Sequence, residues 1–171
     1  FKQSNRSKDF ITPIEDEEKR QQNEYIRMGN LCHQIFSAIR TTDDVDTVLK
    51  NLRTEGVIES DEREKSIRKF IENGLRNPQV KQWFDPSWTL FRECNILIGM
   101  GNGAICKRRP DRVMMRGEET VVIDYKFGVA KPDYEEQVRE YMTLLTKMGR
   151  RNVKGFLWYV YEGKTVEVNP E

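Results

Sequence analysis

Two short stretches place acidic and basic side chains in a pattern that suits chemistry on phosphate. Arg109-Pro110-Asp111 is followed, thirteen residues after its aspartate, by Asp124-Tyr125-Lys126. The second triplet closes an apolar, strand-like run, Thr120-Val121-Val122-Ile123, and leads into Phe127-Gly128. Strand residues alternate faces, so Asp124 and Lys126 point one way and Tyr125 the other. Two carboxylates about 4 Å apart repel by roughly 4 kcal/mol at an effective dielectric near 20. A fold that joins Asp111 to Asp124 therefore needs a cation or a raised pKa. Hard oxygen ligands select Mg²⁺ or Mn²⁺, and a water on such an ion ionises readily enough to supply an attacking hydroxide. Lys126 beside it would orient or deprotonate that water, or neutralise the charge growing on the phosphate. The combination would cut phosphodiesters. Each piece alone has a plainer reading: Asp111 as a turn residue after Pro110, and Asp124 with Lys126 as an exposed ion pair on an edge strand.

Other residues join this set by type and spacing. His33 is the only histidine and sits one helical turn after Gly29. It is either a nitrogen ligand to the same cation or a polar helix residue satisfied by a neighbour. Gln137 and Tyr141 lie one turn apart and project together, toward substrate phosphate or base or simply into amphipathic packing. Glu93 interrupts an apolar run, as a further carboxylate of the metal site or as a lysine's partner. Lys107, Arg108, Arg109 and Arg112 form a basic cluster around Asp111, and Lys147, Arg150, Arg151 and Lys154 form a second. Both are candidate contacts for a DNA backbone, or solvated surface. Trp83, Phe84 and Trp88 would stack on unpaired bases or fill the core.

The elements that must position these groups can be read along the 171 residues. Residues 1–22 are polar and charged, an arm or linker preceding a domain over 23–171. A helix with one apolar face runs from about Asn23 to Ile39. Asp43 or Asp44 caps a second helix through Leu52 that Gly56 stops; Ser60 starts a third that ends at Asn73-Gly74; Asn77-Pro78 opens a short one ending at Trp83. Strands are expected over 88–98, 104–115 and 120–127, a strong helix over 133–148, and a closing strand pair over 153–161 and 164–168. The order implies an α/β (α+β) domain, a central mixed sheet flanked by helices.

Composition narrows the class. Charged residues make up 33% of the chain and net charge is +1, so overall charge gives no argument for a nucleic-acid partner and local clusters must carry it. No run is apolar enough to span a membrane, and no leader peptide stands at the start. Three separated cysteines, Cys32, Cys94 and Cys106, suit a reducing cytoplasm and offer no metal-binding Cys-x-x-Cys pair. The chain starts at Phe1, which agrees with a piece of a longer protein.

Taken in order, Gly29-x-x-x-His33, the strand glutamate Glu93, Asp111 within Arg-Pro-Asp-Arg-Val, Asp124-Tyr125-Lys126 and Gln137-x-x-x-Tyr141 resemble the RecB-type branch of the PD-(D/E)xK nuclease superfamily. One departure stands out: Arg108-Arg109-Pro110 replaces the glycine often found ahead of the first aspartate. The resemblance implies a restriction-endonuclease-like core, metal ligands at His33, Asp111, Asp124 and the Tyr125 carbonyl, a catalytic Lys126, and Gln137 and Tyr141 supporting site and substrate. It further implies Mg²⁺ or Mn²⁺ as cofactor, without the iron–sulfur cluster of some relatives, whose cysteines are missing. Such domains often sit at the C-terminus of UvrD-like helicase–nucleases of the AddA and RecB kind, which trim DNA ends in double-strand-break repair and recombination. DNA, single-stranded or as duplex ends, is the expected partner, with a helicase motor in the same full-length chain. The chain has no Gly-x-x-x-x-Gly-Lys motif of its own, so that motor would lie elsewhere. The rival expectations are a non-catalytic nucleic-acid-binding module on the same fold and an unrelated phosphoesterase of small nucleotides.

Overall fold

The computed structural model describes residues 13–91, 95–99, 103 and 105–170, with 13–16, 98 and 106 by backbone alone. Four helices come first: α1 (Pro13–Ala38), α2 (Val45–Thr54, after a 3-10 turn over Thr42–Asp44), α3 (Asp61–Gly74) and α4 (Pro78–Trp83). Their starts follow local chemistry. The Asp44 carboxylate accepts from the Arg40 and Thr41 amides, Ser60 Oγ accepts from the Arg63 amide, and Asn77 Oδ1 accepts from the Gln79 amide ahead of Pro78. Strands β1 (Thr89–Phe91), β2 (Ile96–Gly99), β3 (Ile105–Arg108), β4 (Arg112–Arg116) and β5 (Glu119–Lys126) follow, then α5 (Pro132–Lys147), β6 (Val153–Tyr159) and β7 (Lys164–Val168).

The central sheet has the order β1-β4-β5-β6-β7. Its pairs are antiparallel except β5 with β6, which run parallel because α5 carries the chain back across the sheet. β2 and β3 pair with each other as a separate ribbon. The mixed sheet between helices is therefore as expected, but two strands are divided. β3 stops at Arg108 and β4 starts at Arg112, because Pro110 has no N–H to give a ladder and the Asp111 carboxylate turns to bond elsewhere. The expected 88–98 strand contributes β1 to one sheet and β2 to the other. The first helix also begins ten residues earlier than its apolar face suggests, at Pro13 rather than Asn23. Residues 17–22 of it are exposed, so burial gave no periodic signal there.

Each face of the sheet has its own core. Under α1–α4 lie Phe36, Trp83, Phe84, Tyr125, Phe156 and Trp158, with Trp158 edge-on to Phe36 at 4.6 Å and to Tyr125 at 5.5 Å. Trp83, Phe84 and Trp88 are all at most 5% exposed, so they are core residues and cannot offer faces to bases. Under α5 lie Val113, Val122, Val138, Met142, Leu145 and Leu157. Gly155 of β6 is what lets α5 come so near: a Cβ there would stand 2.5 Å from both Val138 Cγ1 and Met142 Sδ.

Candidate active site

The site forms where β5 runs out from between the two cores. Alternation sends Val121, Ile123 and Tyr125 into the ring-rich core and turns Val122, Asp124 and Lys126 toward α5. The expected facing of Asp124 and Lys126 is therefore what the fold produces, and the two form an ion pair. Asp111 reaches the same place from the break between β3 and β4. Its Oδ2 accepts from the Tyr125 amide at 2.7 Å, and its Oδ1 accepts from His33 Nε2 at 2.6 Å. His33 arrives on α1, which lies close against the end of β5 because Gly29 has no side chain; a Cβ at Gly29 would be 3.2 Å from Phe127 Cβ.

From the other face α5 supplies a relay. Lys126 Nζ donates to Gln137 Oε1 at 3.0 Å, Gln137 Nε2 donates to Tyr141 Oη at 2.9 Å, and Tyr141 Oη donates to the Arg109 carbonyl at 3.5 Å. Lys126 also lies over the ring of Tyr134, 4.1 Å from its centroid. Tyr134 was missed in the sequence, although it shares a helix face with Gln137 and Tyr141 at spacings of three and four.

Asp124 is 4% exposed. Burial, reinforced by the charge of Asp111 and opposed by Lys126, pushes its carboxyl up to about 6. Its Oδ2 meets Lys126 as an ionic contact but has no well-directed hydrogen-bond donor. His33 is pushed up as well, first by its hydrogen bond to Asp111. Burial drives the Tyr141 hydroxyl up to about 12, keeping it a donor at neutral pH. This chemistry fits a divalent cation: a buried carboxylate, a second carboxylate that repels it, and an imidazole, all hard or borderline donors. His33 and Asp111 are bonded to one another as they stand. Among the described residues, no three His, Cys, Asp or Glu side chains form a finished cation cage.

The sequence profile of the PD-(D/E)XK nuclease superfamily matches residues 7–170. The chain belongs to that superfamily. No curated protein matches it significantly. Members use divalent metals, typically Mg²⁺ or Mn²⁺. The five-stranded mixed sheet flanked by helices agrees with the restriction-endonuclease-like core.

Several expected site residues fall elsewhere. Arg112 is not a DNA contact. It is 2% exposed, its guanidinium lies 4.3 Å over the Phe84 ring, and it donates to the carbonyls of Ile39, Arg40 and Trp83 at 2.9–3.0 Å. Ile39 and Arg40 immediately follow α1, whose last turn carries no basic residue of its own, so Arg112 caps that helix from β4. The second basic cluster lies at the wrong end of the sheet. Lys154 is opposite Val121 at the start of β5, where it pairs with Glu119, while Arg151 pairs with Glu118. Arg108 is tied to Glu140 at 2.9 Å, Lys107 and Arg109 are exposed, and the Arg109 carbonyl accepts from Tyr141 at the site. Glu93 lies outside the described residues. No helix of the described residues is long and apolar enough to cross a membrane.

Proposed function

We propose that this domain is a Mg²⁺- or Mn²⁺-dependent deoxyribonuclease acting on DNA ends, the nuclease part of a cytoplasmic helicase–exonuclease that serves double-strand-break repair and recombination. The observation that carries the reading is Asp124: a buried carboxylate paired with Lys126, raised in pKa and repelled by Asp111. A fold keeps such a group where a bound cation and a phosphate are meant to satisfy it.

Asp111, Asp124, His33 and the Tyr125 carbonyl would hold the cation, which supplies charge neutralisation at the phosphate and a water acidic enough to attack it. The Tyr125 amide fixes one oxygen of Asp111, leaving its Oδ1 and His33 to rearrange together. Lys126 keeps Nζ beside Asp124, where it orients the attacking water and offsets charge developing on the phosphate. Gln137 and Tyr141 set the Lys126 amine and lean on the Arg109 backbone, coupling the catalytic lysine to the loop that carries Asp111. Lys107 and Arg109 would meet the DNA backbone at this end of the sheet.

The test is cleavage of end-labelled linear single- and double-stranded DNA with Mg²⁺, Mn²⁺ or EDTA, with Asp124→Asn beside the wild type. Metal-dependent cutting that the variant loses supports the reading, and the product ladder separates exonuclease from endonuclease. Equal cutting by a folded Asp124→Asn protein rules it out.

A further inference from the structure

A ladder of rings leads from the site to the surface. The His33 ring is 6.5 Å from Phe127, Phe127 is 5.7 Å from Tyr161, and Tyr161 is stacked on Tyr25 at 4.3 Å with an interplanar angle of 22°. Tyr25 is 47% exposed, unlike the rings of the core. Tyr161 Oη donates to the Tyr25 carbonyl at 3.1 Å, and Phe70 meets the Tyr161 ring at 5.2 Å, so Tyr161 is held from behind and Tyr25 is the exposed member of the pair. Tyr25, Gly29 and His33 follow one another at four-residue intervals and share a row on α1.

Beside the pair is a cavity of about 750 Å³ lined by Tyr25, Tyr161 and Met28, together with three arginines, Arg20, Arg27 and Arg63, against two glutamates, Glu17 and Glu24. The balance of three to two leaves one positive charge. Arg63 pairs with Glu24 and Arg20 with Glu17. Arg27, exposed, has no carboxylate partner among the described residues.

We infer that the stacked Tyr25–Tyr161 pair is a platform for a base of single-stranded DNA, with Arg27 meeting the strand's phosphates. The inference rests on the nuclease reading and adds the kind of strand that site receives. An exposed ring anchored by a second ring suits the π-face of any base, and single strands are held without sequence preference by such rings beside cationic side chains. A duplex keeps the faces of its internal bases covered and presents only those of its terminal pairs. Tyr25 and His33 are eight residues apart, roughly 12 Å along the helix axis. The platform would thus engage a base about three to four nucleotides from the cut in a stacked strand.

The test reads binding apart from cutting. Fluorescein-labelled oligothymidylate is titrated with wild type, Tyr25→Ala and Tyr25→Phe in EDTA, with a blunt duplex as comparison. Tyr25→Ala should weaken single-strand binding about 5- to 100-fold, duplex binding should change less, and Tyr25→Phe should restore it. Arg27→Ala should lower the salt slope of single-strand binding by about one. Unchanged single-strand affinity in Tyr25→Ala, or an equal loss on duplex, overturns the platform. So does a lower melting temperature in Tyr25→Ala with no change in DNA binding, which would assign the surface to a neighbouring stretch of the chain itself. Because no step requires cleavage, failure of the nuclease reading appears separately, as cutting that Asp124→Asn does not affect.

Discussion

The face of the sheet beneath α1–α4 is paved with rings, whereas the face beneath α5 is mostly aliphatic. The ring face is locked by edge-on contacts around Trp158 and by the Arg112 cap on α1, and it presents His33. The aliphatic face is thin, drawn in by Gly155, and its polar end presents Lys126, Gln137 and Tyr141. Asp111 and Asp124 stand where the two meet. In the proposed reading one face holds the cation's ligands still, and the other sets the Lys126–Gln137–Tyr141 chain against them.

The largest blow to this arrangement falls where the faces join. Asp124→Asn should lower cleavage by a factor of about 10³ or more, or roughly 4 kcal/mol in the barrier, measured as kcat/KM on linear DNA. On the ring face, Arg112→Ala should destabilise by about 3–5 kcal/mol in urea unfolding, since the backbone carbonyls of Ile39 and Trp83 lose a buried donor and that of Arg40 a part-buried one. Its salt slope for DNA binding should stay that of wild type.

Between these lies a pH effect. Asp124's folded pKa is raised above its unfolded value, so its contribution to stability is present below about pH 4 and lost as pH rises to about 6. A shift from 3.8 to about 6 corresponds to about 3 kcal/mol at most. Binding of Mn²⁺ should recover that loss. The gain in Tm on adding Mn²⁺ should therefore be small at pH 5 and full above pH 7; a gain independent of pH would contradict it.

The aliphatic face gives the smaller effects. Gly155→Ala should cost about 1–3 kcal/mol, because the added methyl meets Val138 and Met142 and α5 must shift. That shift should also slow cutting, through Gln137, more than an equal loss of stability on the ring face does. Gln137→Ala should reduce kcat about tenfold with little change in KM, sharpening the separation between ligand side and relay side.

Much of this was legible in the sequence because strand alternation is rigid. Once Thr120–Lys126 reads as a strand, the common facing of Asp124 and Lys126 follows, and the Gln137–Tyr141 pair follows from helical spacing in the same way. Arg112 was misread for a reason equally physical. A guanidinium beside Asp111 looks like a phosphate contact until the long-range partner, the C-terminus of α1 more than seventy residues away, is known. The divided strands escaped notice because pairing depends on partners, and β2 finds β3 rather than the main sheet. The start of α1 was invisible since a helix with no buried face has no apolar period to read.

The parallel pairing of β5 with β6 has a consequence for how the domain opens. β4 and β5 are joined by a tight turn and can pair locally, but β6 reaches β5 only after the excursion through α5. Asp124 lies within the stretch of β5 that β6 covers, opposite Leu157, so its desolvation is imposed when that second half docks. The cost therefore falls on one seam. A metal-free chain should therefore open first at α5, which closes over Asp124 and Lys126, while β6 stays anchored to the helical half through Trp158. The same carboxylate that readies the domain for a cation makes the cation a latch on the last part of the fold to close.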